Sequence, residues 1–433
     1  MRALLASIIG TACSAALLTA PALATGQPST APAPPPAGGR QSLALEPLAA
    51  IGPARPPEAR PKPEGGGVER PERPERPEQP EQPPIQGLPA TGTEPFSLLG
   101  VVWTDPTAPL NGEVRVRTRD ADTGDWSEWR RLAVGPDHAP DPDSAEATGG
   151  TLRGGTAPLW VGPSDGVQVR VLPAAAGDDE APADELPAGL RLELVDPGTD
   201  DASGADDAED VPGSGARLRA EDLTPRAATA AGAHEAARPP IVTRAGWGAD
   251  ESLRESGYVY TDTVTTVFVH HTGGGNDYSC SEAPSLIRGI YRYHVESQGW
   301  RDVGYNFFVD KCGTVYEGRA GGVAEPVQGA HTLGFNHNST GVAVLGTYSD
   351  TGVSAEARDA LSRLVAWKLG LHDGDPSGAS NRTSSGGQWP SGTTVKLDNV
   401  SGHQDAYATD CPGAKLYDQL PTIRSAAAEL QGR

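Results

Sequence analysis

The stretch VTTVFVHHT, Val264–Thr272, runs through β-branched and aromatic residues into two histidines and then a Gly-rich loop. Residues of that type favour an extended chain, so Val264 to His270 reads as a strand. His270 falls at its end, where a rigid element can aim a side chain. In the chain that follows, SLIRGIYRYHVESQGW spaces Leu286, Ile290 and His294 along one face and predicts a helix from about Ala283 to Ser297, stopped at Gly299. GYNFFVDKCGTVYEGR predicts a hairpin turning at Lys311-Cys312-Gly313, and GVAVLG a buried strand. SAEARDALSRLVAWKLGL places Leu361, Leu364, Val365 and Leu369 on one helical face, and PTIRSAAAELQ closes the chain as a helix. Strands interleaved with helices make residues 239–433 a mixed α/β domain, a central sheet flanked by helices.

The chain ahead of this domain has a different character. Arg2, an apolar run from Ala3 to Leu18 and the sequence PALATG have the form of a secretory signal, residues 1–24, cleaved after Ala24. Residues 25–94 are rich in Pro, Ala, Gly and charge, and GVERPERPERPEQPEQPP repeats with a period of three. Such a segment buries no core and reads as an extended, disordered spacer. FSLLGVVW, EVRVRTR, WSEWRRLAV, PLWVG, GVQVRVL and LRLELVD alternate over short spans, which predicts a small all-β, sandwich-like domain over 95–198. Trp103, Trp126, Trp129 and Trp160 fall inside it and suit either core packing or a sugar-binding platform. Residues 199–238, with six acidic residues from Asp200 to Asp210 and an Ala/Gly tail, read as a solvated linker.

The 433 residues carry a net charge of −22, and residues 241–433 account for little of it, with 21 acidic against 15 basic side chains. That balance argues against nucleic acid or an anionic membrane surface as a partner. No segment beyond the signal approaches the length of a membrane span, so the mature protein is expected to be secreted or cell-wall associated. Without the signal three cysteines remain, Cys280, Cys312 and Cys411; in an oxidising compartment two should pair and one is left over.

SGHQDAYATDCPG, Ser401–Gly413, holds His403 and Cys411 eight residues apart. Catalytic zinc takes three protein ligands from His, Cys and carboxylate and keeps a fourth position for water. His403 and Cys411 can supply two and His270 a third. On spacing alone Cys411 is equally readable as half of a disulfide or as a nucleophile.

FVHHT, IYRYHVESQGWRDVGYNFFVDKCGTVYEGR, GAHTLGFN and GHQDAYATDCPG, in that order, resemble the peptidoglycan recognition protein family, whose fold includes the type 2 N-acetylmuramoyl-L-alanine amidases. The resemblance covers 239–433. It implies that His270, His403 and Cys411 bind Zn2+, and the presence of Cys411 sets the chain apart from recognition-only members. It implies a catalytic role for Tyr305 beside the metal. Thr409 matches a second catalytic position that is lysine in some members, and threonine is a poor proton carrier. His271 and His294 match positions lining the peptide groove, and His294 is equally readable as a core histidine. Gly299, Trp300 and Arg319 resemble the set associated with diaminopimelic acid, whose extra carboxylate an arginine fork can hold at two points. The plain alternative for Arg319 is a solvated hairpin residue.

With Cys411 so assigned, Cys280 and Cys312 remain. One precedes a helix and the other lies at a hairpin turn, and a structural disulfide between them is expected. The implied activity is zinc-dependent hydrolysis of the amide between N-acetylmuramic acid and L-alanine in peptidoglycan of the diaminopimelic-acid type, by a monomer. A non-catalytic peptidoglycan-binding receptor using the same groove is the alternative, and a cysteine hydrolase built on Cys411 and His403 is a third.

Overall fold

The structure, a computed structural model, describes residues 38–48, 85–135, 138–149, 152–174, 185–198 and 234–433. The expected signal sequence, most of the Pro-rich spacer and the linker up to residue 233 lie outside the described residues.

Residues 239–433 form the mixed domain. Its six-stranded sheet has the order Val400–Gly402, Thr266–His271, Ser339–Val344, Phe307–Val309, Val315–Glu317, Ile241–Val242. Pairing is parallel throughout except for the hairpin, where Phe307–Val309 runs antiparallel to Val315–Glu317. Helices on both faces cover a parallel sheet, so its strands are continuous buried runs rather than alternating ones; Thr266–His271 and Ser339–Val344 are buried at every position. Helix Ala355–Gly370 begins at Ser354, whose hydroxyl accepts the Ala357 N–H, and packs with Leu420–Leu430 on one face. On the other face lies Ala283–Arg292, which continues as a π-helical turn over Tyr293–Ser297 and ends at Gly299, φ +78°. Cys280 and Cys312 are disulfide-bonded, tying the start of that helix to the hairpin turn.

The preceding domain is all β. Its eight-stranded sheet includes Gly39–Ala44, Gln86–Trp103, Gly112–Asp120, Leu159–Pro173 and Arg191–Asp196. Here the structure extends the sequence reading: Gly39–Ala44 and Gln86–Glu94 lie in the stretch expected to be a spacer, yet both are strand. Gly39–Ala44 pairs along its full length with Arg191–Asp196. Six residues of GRQSLA carry too short a pattern to read, and the pairing partner lies some 150 residues away, so only the assembled sheet supplies its hydrogen bonds.

The strand Gln86–Trp103 explains how the two domains meet. Leu99, Val101 and Trp103 point into the β domain's own core. Side chains alternate along a strand, so Leu98 and Val102 point the other way and join a cluster with Leu286, Ile287, Ile290 and Tyr293 of the helical face. Gly100, between them, gives the room for the Tyr293 ring: a Cβ there would lie 2.4 Å from the tyrosine oxygen. The Tyr293 hydroxyl donates to the Thr156 carbonyl at 3.0 Å. The two domains therefore share an apolar interface core. Trp103 and Trp160 are buried, while Trp126 and Trp129 are half-exposed and bracket Arg117. Among the described residues no helix is long and apolar enough to cross a membrane.

Candidate metal centre

Parallel pairing sets two histidines side by side. Val269 pairs with Gly402, so His270 and His403 are the next residues at the carboxyl ends of adjacent strands, and their ring centroids are 4.6 Å apart. The carboxyl ends of parallel strands are where open α/β sheets form crevices. The loop after His403 returns Cys411 to the same end, its carbonyl accepting the Gln404 N–H at 2.9 Å. The Cys411 Sγ lies 3.6 Å from His270 Nδ1 and accepts the His271 N–H at 3.4 Å.

A fourth donor arrives from the β domain. His138 Nε2 lies 3.9 Å from Cys411 Sγ, and one ligand atom from each of His138, His270, His403 and Cys411 falls within 4.8 Å of the others. With Zn–S near 2.3 Å and Zn–N near 2.1 Å, a tetrahedral site separates sulfur from nitrogen by about 3.6 Å. The donor set and its spacing fit a tetrahedral ion of that kind. Burial first, then the imidazoles of His403 and His138, hold His270 well below the ordinary histidine value. It is neutral near pH 7, the form that ligates metals.

The outer nitrogen of His270 is also placed. Nε2 contacts the Thr332 hydroxyl at 3.3 Å, and that hydroxyl contacts His331 Nδ1 at 2.9 Å. Such a chain fixes the ring and leaves Nδ1 facing the other donors. The buried His331 fits only because Gly329 and Gly341 lie against its ring, where a Cβ at either would come within 2.4 Å. Asp405 accepts the Gly402 N–H at 2.9 Å and the Tyr417 hydroxyl at 2.5 Å, closing the turn beneath His403.

Tyr305 joins the cluster, its ring 5.4 Å from His270 and 5.7 Å from His138. Thr409 accepts the Cys411 N–H at 3.3 Å and so shapes the ligand loop. His271, on the opposite side of its strand, turns to the Tyr348 N–H at 3.3 Å. His294 is buried, accepts the Gly304 N–H at 3.1 Å and has its ring 4.4 Å from that of Trp300 and 6.0 Å from that of Tyr305. Arg319 is no solvated hairpin residue. It is 8% exposed, its Nε donates to the Val303 carbonyl at 2.8 Å, and its guanidinium grips both oxygens of Glu146 at 2.8 and 2.9 Å.

The sequence reading missed His138, Glu146 and Thr332. His138 sits in GPDHAPDPD, a Pro/Asp-rich loop with no spacing signal toward the other ligands. Thr332 lies in GAHTLGFN, and only the fold shows what its hydroxyl touches.

Residues 260–414 match the N-acetylmuramoyl-L-alanine amidase family. Over those residues the C-terminal domain is similar to that family. Residues 58–188 match the Rv3811 N-terminal galactose-binding domain-like family. Peptidoglycan-recognition protein SC2 of Drosophila simulans is 28% identical over 182 residues, 42% of this chain and 85% of its own length. Human N-acetylmuramoyl-L-alanine amidase is 34% identical over 198 residues, 45% of this chain and 30% of its own length. Bumblebee PGRP-SA is 27% identical with a TM-score of 0.34, over 42% of this chain and 94% of its own.

Proposed function

We propose that this chain is an exported zinc amidase that hydrolyses the bond between N-acetylmuramic acid and L-alanine in peptidoglycan of the diaminopimelic-acid type. The observation that carries the reading is the convergence of Cys411 Sγ on His270, with His403 beside it, at one end of the parallel sheet. Two neutral imidazoles and one thiolate are the donor set of a catalytic zinc site.

Zinc held there supplies a water of lowered pKa and polarises the scissile carbonyl. The chain's own residues do the rest. His331 and Thr332 fix the His270 ring so that Nδ1 faces Cys411 Sγ, where it would hold the metal. Tyr305 stands against the His270 ring, and its hydroxyl is the group we assign to hold the water or donate to the developing oxyanion. Arg319 receives the side-chain carboxylate of diaminopimelic acid as a two-point ion pair. Gly299 turns the chain into Trp300, and Trp300 packs on His294 beside Tyr305.

The test is digestion of purified diaminopimelic-acid-type peptidoglycan followed by mass spectrometry of the soluble products. Stem peptides beginning with L-alanine should appear, disappear with a chelator and return with zinc. Intact glycan-linked stems with every form of the protein would overturn the reading and leave a peptidoglycan-binding receptor.

A further inference from the structure

We propose that the segment His138–Thr148 of the β domain is an intramolecular plug, with His138 as fourth ligand of the metal and the Glu146 carboxylate standing where a substrate carboxylate pairs with Arg319. The proposal rests on the zinc amidase reading for what is blocked, and on this chain's own contacts for the blocking.

The segment is pinned to the amidase domain at three places. At the metal end, His138 Nε2 lies 3.9 Å from Cys411 Sγ, and its ring is 4.5 Å from His403. In the middle, Asp141 is 2% exposed and accepts the Gly334 N–H and the Asn336 Nδ2–H, each at 2.8 Å. At the far end, Glu146 pairs with Arg319 and accepts the Arg301 N–H at 3.0 Å. Both partners of the ion pair are at least nine-tenths buried. A cavity lined by Pro140, Asp141, Glu146, Arg301, Arg319 and Gln328 is what remains of the cleft beneath the segment.

Four protein donors make a closed, structural type of site, whereas catalysis needs one position open to water. His138 occupies that position. A tethered ligand competes at an effective concentration in the millimolar range or above, and the anchors at Asp141 and Glu146 lower its freedom to leave. A small shift of this segment, with no change elsewhere, opens both the metal and the arginine. The β domain is then a built-in inhibitor as well as a fused module.

The full chain is compared with His138→Ala, Glu146→Gln and the double variant after loading with Co2+. Azide is the probe, read by the visible ligand-field bands. The wild type should show a four-coordinate spectrum that azide does not alter. His138→Ala should shift its bands and bind azide. Loss of the charge-assisted contact at Glu146 should raise azide binding and stem-peptide release about ten- to a hundredfold. If His138→Ala loses structure by circular dichroism, His138→Gln serves with the same expectations. Identical spectra and azide exclusion in all forms would overturn the plug. Azide binding by the variants with no hydrolysis by any form keeps the plug and retires the amidase reading. Equal hydrolysis by wild type and variants keeps the amidase and retires the plug.

Discussion

Glu146 and Arg319 stand 173 residues apart in the chain and face each other through two parallel hydrogen bonds of 2.8 and 2.9 Å, out of water. Removing one member of a buried pair leaves the other charge uncompensated, at a cost of about 3–5 kcal/mol. Arg319→Ala should therefore lower the urea midpoint markedly, and so should Glu146→Gln, whose single amide oxygen cannot accept both guanidinium N–H groups and leaves the Arg319 charge unpaired. In the Glu146→Gln background, adding Arg319→Ala should reduce the preference for diaminopimelic over lysine muramyl peptides about ten- to a hundredfold. An unchanged preference would remove Arg319 from substrate recognition.

Cys411→Ser exchanges a charged soft ligand for a weak neutral one. Zinc retained after dialysis, measured by elemental analysis, should fall to background while the Cys280–Cys312 bridge still maps in non-reducing digests. Tyr305→Phe should retain zinc and lose about 100- to 1,000-fold in kcat if its hydroxyl serves the oxyanion. Zinc loss in Tyr305→Phe would mean that the ring shapes the site and does no more.

The disulfide closes a loop with a sequence separation of 32. In the chain-entropy account a loop of this size contributes about 3–4 kcal/mol. The double substitution Cys280→Ser, Cys312→Ser should lower stability to urea by that order and leave zinc content unchanged.

Gly100 meets the Tyr293 ring at the domain interface. Gly100→Val forces side-chain atoms into that ring, an overpacking that costs about 1–3 kcal/mol. If the contact couples the domains, calorimetry should show the wild type unfolding in one transition and Gly100→Val in two, one per domain. A single unshifted transition would mean that the domains are not energetically coupled through this contact.

Lys368 is buried in helix Ala355–Gly370, and burial pushes its ammonium down to about 7, while Glu325 acts to raise it. Its Nζ donates to the Val323 and Glu325 carbonyls at 2.9 and 2.7 Å. Between that value and the ordinary lysine pKa the unfolded chain binds more protons than the folded one, so stability rises with pH across the window. Lys368→Met should be more stable than wild type near pH 6, and the gap in Tm should close toward pH 10. A gap independent of pH would show that Lys368 stays charged in the fold.

The sequence by itself determined the elements that carry chemistry. A β-branched run ending in His270, and His403 with a cysteine eight residues on, are local patterns, and local patterns set strands, turns and the chemical type of each donor. The helix stop at Gly299 and the hairpin at Cys312 were legible for the same reason. The tertiary structure alone decided which donors meet. His138 reaches Cys411 across 273 residues, and Glu146 reaches Arg319 across 173. It also decided that Gly39–Ala44 is a strand, and that Leu98 and Val102 face the helix of the other domain. Each of these depends on hydrogen bonds and apolar contacts between distant segments. Such contacts exist only once both segments are folded, so no periodicity or spacing in either one records them.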